Sequence, residues 1–377
     1  GLPPAGEGLH PFTIQPPGLP IFYALTGVGN LEASHRVLNV AAFVLLAWLT
    51  FALGKELTGR DDVAVAASLL TVLSPVSLLT VSHYWTDLPA AALLLGALYL
   101  VLRSRRPGPR PWAWLLGASA LAAISVAFRM TGLAFGLVIL ADLAASPRPR
   151  WRGRMVRLAA VSVLFGATAL ALLIRNTILA GRYSGIPAHE WPVAVEYSLI
   201  RGWAYLGSRF LQALTPGWAV EAVSRKLSAV NANPEPWLVP SVLFFILAAA
   251  AVVFVVLHRR RNAAWTLPGN VAFEGRHAVV GALVLAATAV LLLPATRNPN
   301  FHVVELRFVI TLLPFLWIAV VGILMGGLRK SVAYPVAAVL VVVFAIGVPG
   351  RYQPYRYSPA FLEPGLEWLG RTVPAET

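Results

Sequence analysis

The sequence predicts an all-α, polytopic membrane protein with roughly ten transmembrane helices and further helices lying at the outer interface. Three observations predict it. Hydrophobic residues make up 58% of the 377-residue chain and charged residues only 12%, with a mean hydropathy of +0.72; a soluble domain carries about 25% charged and about 45–50% apolar residues. The apolar residues gather in separate runs near span length. Basic residues crowd every second loop between those runs.

The runs fall at 36–53, 63–81, 88–102, 112–127, 131–144, 158–174, 237–257, 278–294, 309–327 and 332–349. Several are shorter than the ~20 residues of a perpendicular span, a shortfall that interfacial Trp and Tyr or half-buried turns make up. The runs 112–127 and 131–144 are separated only by Phe128-Arg129-Met130. With the first residues outside, the alternate loops around Lys55, Arg103, Arg148, Arg259 and Arg329 hold 17 of the 30 basic residues and only 5 of the 16 acids. Cytoplasmic loops attract Lys and Arg, so these loops are assigned to the inner side. The formal charge of +14 is therefore spread over short loops, which disfavours nucleic acid and favours anionic lipid headgroups as partners.

Along the chain, residues 1–35 form an outer segment rich in Pro and Gly. In it Thr13-Ile14-Gln15-Pro16-Pro17-Gly18-Leu19-Pro20 leads into a short apolar stretch, read as an interfacial helix or a plain linker. The chain opens at Gly1 in this polar segment and is read as lacking an upstream span. Residues 182–236 are the one long outer loop. Leu199, Trp203, Leu206, Phe210 and Leu214 recur there at helical spacing, as in a helix lying in the headgroup layer, acting as a packed lid or holding a lipid substrate. Residues 350–377 form an outer, aromatic-rich tail, and the whole chain 1–377 is read as one transmembrane domain. Cysteine is absent, which excludes disulfides and thiolate metal sites. No nucleotide-binding loop, zinc-protease motif or nucleophile elbow is present.

Three polar clusters lie on the outer side. The hexapeptide Ser82-His83-Tyr84-Trp85-Thr86-Asp87 joins two spans. Asp87 can be a helix cap, with Pro89 suiting the first turn; His83 and Tyr84 add groups that a cap does not need. Arg129 sits in a three-residue turn on the side the charge rule disfavours, which is costly unless it snorkels or meets an anion, either a lipid phosphate or a phosphorylated substrate. His302 and Glu305 share a helical face ahead of the span at Val309, with Arg307 beside them; Glu305 and Arg307 can also be a simple surface pair.

At these residues the chain resembles the GT-C class of integral-membrane glycosyltransferases that use polyprenyl-phosphate sugars. The likeness is closest to the dolichyl-phosphoglucose-dependent alpha-1,2-glucosyltransferase family. It is carried by Thr13-Ile14-Gln15-Pro16-Pro17-Gly18-Leu19 with Arg36-Val37-Leu38-Asn39, by His83-Tyr84-Trp85-Thr86-Asp87, and by Phe128-Arg129-Met130-Thr131. Glu305-Leu306-Arg307-Phe308 with Leu313-Pro314-Phe315 is more like the mannosyltransferase branch. The resemblance implies an inverting hexosyltransfer from a polyprenyl-phosphate donor, glucose or mannose in type, to a lipid-linked or surface glycan. It implies Asp87, His83 and Glu305 as catalytic candidates, Arg129 and Arg307 as holders of the donor phosphate, and Tyr84 and His302 as substrate-binding groups. A divalent metal is compatible but no ligand spacing demands one. The class carries an acidic motif after its first span, the usual candidate base; Glu7, in Gly6-Glu7-Gly8, does not match it, and the base is expected upstream. The implied location is a multi-pass protein of the cell membrane or the ER membrane, with its site on the outer or lumenal face. The alternatives are a polyprenol-linked sugar flippase and a non-catalytic scaffold. Transporters concentrate polar groups at the midplane and show inverted repeats; here the polar groups gather at one leaflet.

Overall fold

The structure is a computed structural model that describes residues 18, 21–23, 31–82, 86–106, 111–144, 151–180, 210, 213–216, 219, 279–288 and 306–346. Among the described residues every regular element is helical, as expected for backbone that has no water with which to satisfy its polar groups.

Helix α1, Leu31–Thr58, has 28 residues and at 1.5 Å per residue runs for roughly 42 Å. It ends at Gly59, whose φ of 69° is the left-handed conformation that closes a helix by returning its N–H to Lys55 O at 2.9 Å. Helices α2, Asp61–Leu73, and α3, Pro75–Ser82, follow and meet at a 52° bend. Pro75 causes it, having no N–H to give the Thr71 carbonyl. Ser77 Oγ bonds that carbonyl instead, at 2.6 Å, so a side chain replaces the missing backbone donor.

Helix α4, Asp87–Ser104, is the centre of the fold. Of its span, 83% is buried, against 39% for α1 and for α5, Pro111–Phe128. Small residues let α4 and α5 approach closely. A Cβ on Gly96 would stand 3.1 Å from Leu121 Cδ1, and one on Gly117 would stand 3.1 Å from Leu100 Cδ1. Packing of this kind holds helices together in lipid, where burial of apolar surface gives little driving force.

A 3₁₀ turn, Met130–Ala134, leads into α6, Phe135–Ala144. Helix α7, Trp151–Val161, the π turn Ser162–Gly166 and α8, Ala167–Ala180, then run on continuously. Their apolar stretch is only 11% buried, placing it at the rim. Helix α9, Val279–Thr288, a second 3₁₀ turn, Leu306–Thr311, and helices α10, Leu313–Gly327, and α11, Lys330–Ile346, complete the described elements.

Among the described residues four helices are long and apolar enough to cross a membrane, or five if α2 and α3 form one bent span. The run 131–144 opens with a 3₁₀ turn and the run 309–327 contains the end of another, which leaves shorter α-helices than the apolar length implies. The run 237–257 and the tail 350–377 lie outside the described residues. Of the long loop, Phe210 and Ala213 are buried in the core, and Ala213 O accepts from Ser74 Oγ at 3.0 Å. This part of the loop therefore packs into the protein.

One end of the bundle carries a layer of ion pairs. Asp142, 2% exposed, pairs with Arg105 and, at 3.5 Å, with Arg157. Glu56, equally buried, pairs with Arg106. Arg60 holds Asp62 through Nε at 3.0 Å and bonds Met325 O at 3.0 Å. Tyr334 donates to Asp62 Oδ2 at 2.9 Å. Arg60, Arg105, Arg106 and Arg157 are thus matched by carboxylates of the protein, which leaves the remaining basic residues of these loops for the lipid headgroups. Distant pairs of this kind are invisible in a loop-by-loop charge count.

Replacing Asp142 by Asn leaves two guanidinium groups without their shared counter-charge. The expected loss is at the lower end of the ~3–5 kcal/mol for breaking a buried pair, since both arginines are partly exposed. A clear drop in thermal unfolding temperature of the full chain in detergent checks it. Asp61→Asn, which breaks only the exposed Lys55–Asp61 pair, is expected to change it little.

Candidate active site at the Asp87 end of the central helix

The opposite end of α4 begins at Thr86, the cap position, whose side chain makes no cap hydrogen bond. Asp87 is the first helical residue and is buried. The reading of Asp87 as the cap is corrected by one position. A first-turn carboxylate still complements the helix dipole, but its side chain turns sideways to the next helix.

That helix, α5, ends at Phe128. Arg129 is extended, with φ −155° and ψ 138°, and its N–H still bonds Ser125 O at 2.8 Å. The chain then folds straight back. Gly132 N–H donates to Arg129 O at 3.0 Å, and a Cβ on Gly132 would lie 2.6 Å from Val126 N. Only glycine permits that approach. Ser125 Oγ bonds Ala90 O at 2.9 Å, fixing α5 to α4 one turn inside the site. The outcome is a contact of 2.8 Å between Arg129 Nε and Asp87 Oδ1, with side chains 22% and 4% exposed. Two residues 42 positions apart, read in the sequence as separate clusters, form one ion pair.

Other elements close around it. Gly18 is buried, and a Cβ there would lie 2.5 Å from Ala127 O and 2.8 Å from Phe128 N. The proline-rich stretch thus meets the backbone that carries Arg129. Asn39 Nδ2 reaches Thr80 O and Val81 O, each at 3.5 Å, holding α1 against the last turn before the hexapeptide. The 3₁₀ turn that bears Arg307 packs on α3 and α4, with Val309 and Ile310 buried. His83, Tyr84, His302 and Glu305 lie outside the described residues.

Sequence reasoning missed His35. It is buried on α1, and its Nδ1 lies 2.6 Å from Tyr23 Oη. Its signal was available: His35 and Asn39 stand four residues apart, on one face of an apolar helix, where polar side chains are costly and mark function. Among the described residues no group of three His, Cys, Asp or Glu could hold a metal ion.

Residues 15–174 match the family model described as dolichyl-phosphate-mannose-protein mannosyltransferase. Gly18, Asn39, Asp87 and Arg129 all fall inside the match. Over this segment the chain is similar to the GT-C class of integral-membrane glycosyltransferases, in agreement with the resemblance read from its motifs. No curated protein matches the chain. The crystal structure of ArnT from Cupriavidus metallidurans bound to undecaprenyl phosphate aligns with 97% of this chain and 72% of its own, at 14% identity and a TM-score of 0.39. At that level the alignment transfers neither site nor substrate.

Asp87→Asn and Arg129→Gln are expected to be non-additive. Each alone strands the other partner, a buried Asp87 or a half-buried Arg129, so a double-mutant cycle on thermal unfolding should give a coupling within the ~0.5–3 kcal/mol seen for contacting residues. Additive effects would show that the pair contributes nothing as a pair.

Proposed function

We propose that the chain is a membrane glycosyltransferase that moves a hexose, of glucose or mannose type, from a polyprenyl-phosphate donor to a lipid-linked or surface glycan. In this reading its site faces the outer or lumenal side, which the excess of basic residues in the other loops favours. The observation that supports this best is the Asp87–Arg129 pair, 2.8 Å apart, at the end of the bundle where the proline-rich, hexapeptide and Phe128–Thr131 stretches come together.

In this reading Arg129 binds the donor phosphate. A guanidinium presents five N–H donors in a planar fork that suits phosphate oxygens. Asp87 holds the Arg129 side chain by its Nε edge and so sets the direction in which the fork points. Arg307 supplies a second positive charge to the leaving phosphate. His83, Tyr84, His302 and Glu305 contact sugar hydroxyls or aid proton transfer. An acceptor hydroxyl, losing its proton to a general base, attacks the anomeric carbon while polyprenyl phosphate departs with the bonding electrons. The leaving group is already an anion, so it needs charge stabilisation and no protonation. Asp87, engaged with Arg129, is an orienting carboxylate; the base is a different group.

Among the described residues the bend between α2 and α3 is the feature that speaks for a flippase, because transporters use broken helices. Two of its side chains are tied to the protein, Ser77 Oγ to Thr71 O and Ser74 Oγ to Ala213 O, which favours a static break.

The test supplies purified full-length protein with polyprenyl-phosphate glucose and mannose and follows sugar transfer. Arg129→Ala is expected to lower kcat by about 10²–10³-fold, as for loss of one preorganised donor to a developing charge. Arg129→Lys should recover part of it, since lysine keeps the charge without the fork. Unchanged activity in both Asp87→Ala and Arg129→Ala would sink the site assignment. Movement of the intact donor across vesicles, with no sugar transfer, would favour the flippase.

A further inference from the structure

Helices α1, α4 and α5 leave a cleft between them, along the middle of α4 from Ala92 to Leu100. Leu45, Trp48, Gly96, Tyr99, Leu100 and Leu121 line it, and its volume is about 110 Å³. Leu45 and Trp48 are 38% and 51% exposed, so the cleft opens toward the surroundings of the bundle. Its lining presents no polar surface. Each chain carbon takes roughly the 30 Å³ of a water molecule, so the space holds a section of a single hydrocarbon chain.

The cleft has a cation at one end. Trp48 and Tyr99 meet edge to face, with ring centroids 5.5 Å apart. Arg103, one turn further along α4, donates from Nε to Tyr99 Oη at 2.8 Å, and its Cζ lies 5.3 Å from the Tyr99 ring centroid. The neighbouring cations behave differently. Arg60, Arg105, Arg106 and Arg157 each hold a carboxylate, whereas among the described residues Arg103 contacts only a neutral phenol and its ring. A guanidinium at the lipid boundary is costly without an anion, and an apolar groove leading to it has the shape of a lipid tail below its headgroup.

We propose that this cleft binds an anionic phospholipid from the leaflet at the Arg105 end, which the charge rule makes the inner one. One acyl chain lies between Leu45 and Leu121, and the phosphate sits on Arg103. The apolar lining selects this occupant: a sugar or an irregular peptide segment would bring polar groups into a cleft that cannot hydrogen-bond them. Arg103 supplies the discrimination between anionic and zwitterionic headgroups, because its attraction is to net negative charge as well as to phosphate. The site is independent of the transferase reading.

The absence of cysteine makes a direct test practical. A single Val44→Cys, exposed beside the cleft and outside its lining, carries a thiol-linked fluorophore in the full chain in lipid nanodiscs. Brominated phosphatidylglycerol and brominated phosphatidylcholine are then titrated as quenchers. The expected result is a preference of about five-fold for phosphatidylglycerol, the value of one basic side chain at an anionic surface. Arg103→Gln should remove the preference and Arg103→Lys should keep most of it. Equal quenching by both lipids in the unaltered chain, or a preference that survives Arg103→Gln, would overturn the proposal. Quenching by neither lipid would also overturn it, showing that protein covers the cleft, either another segment or a second copy. If Arg103→Gln fails to fold, the headgroup comparison in the unaltered chain and in Arg103→Lys still decides.

Discussion

The structure depends on how one buried helix is tied at its two ends. Helix α4 is central and mostly apolar, so nothing in its middle fixes its height or rotation except packing. Charge does that work at the ends. Asp87 meets Arg129 of the turn after α5; just beyond the other end, Arg105 meets Asp142 of α6 and Arg106 meets Glu56 of α1. Each partner comes from a different segment of the chain. A slide of α4 along its axis, or a turn about it, would break pairs at both ends at once, and a broken buried pair costs far more than an intact one contributes.

The two ends use that principle differently. At the Arg105 end, buried carboxylates are enclosed by arginines, and Asp142 serves two of them. The layer is closed and structural. At the Asp87 end, one carboxylate holds one arginine by an edge, and the backbone around it is drawn in tightly by glycines at 18 and 132. Close backbone approach makes this a rigid seat for Arg129. A side chain fixed in position by a neighbour, at the mouth of a helix bundle, is what preorganised charge stabilisation requires.

Much of the fold was legible in the sequence, because hydropathy and loop charge are local properties. The runs around α1, α4, α5 and α7–α8 became helices of span length, and among the described residues Arg60, Arg105, Arg106 and Arg157, all predicted for one side, do gather at one end. The lengths of elements were less legible. Residue 129 is extended and 130–134 form a 3₁₀ turn because Gly132 folds back on α5, a three-dimensional contact that an apolar run does not encode. The site was legible residue by residue, since Asp87 and Arg129 both stood out as polar groups beside spans. Their pairing was not, because it depends on α4 and α5 lying antiparallel with Ser125 bonded to Ala90. His35 escaped because a single histidine among apolar neighbours looks unremarkable until its register with Asn39 is counted.

The order of the charged partners along the chain bears on how the protein is made. Synthesis runs from the N-terminus, so Glu56 is already in place when α4 arrives with Arg106, and that bond can form as the helix enters the bilayer. Arg105 has to wait for Asp142, 37 residues later, and Asp87 for Arg129. Between those moments α4 is held by one anchor only, and its other charged groups remain exposed to water or to lipid headgroups. The last anchors close when the turn after α5 and then α6 are complete. The Asp87 end of the molecule is thus assembled by the same step that first fixes its central helix from both sides.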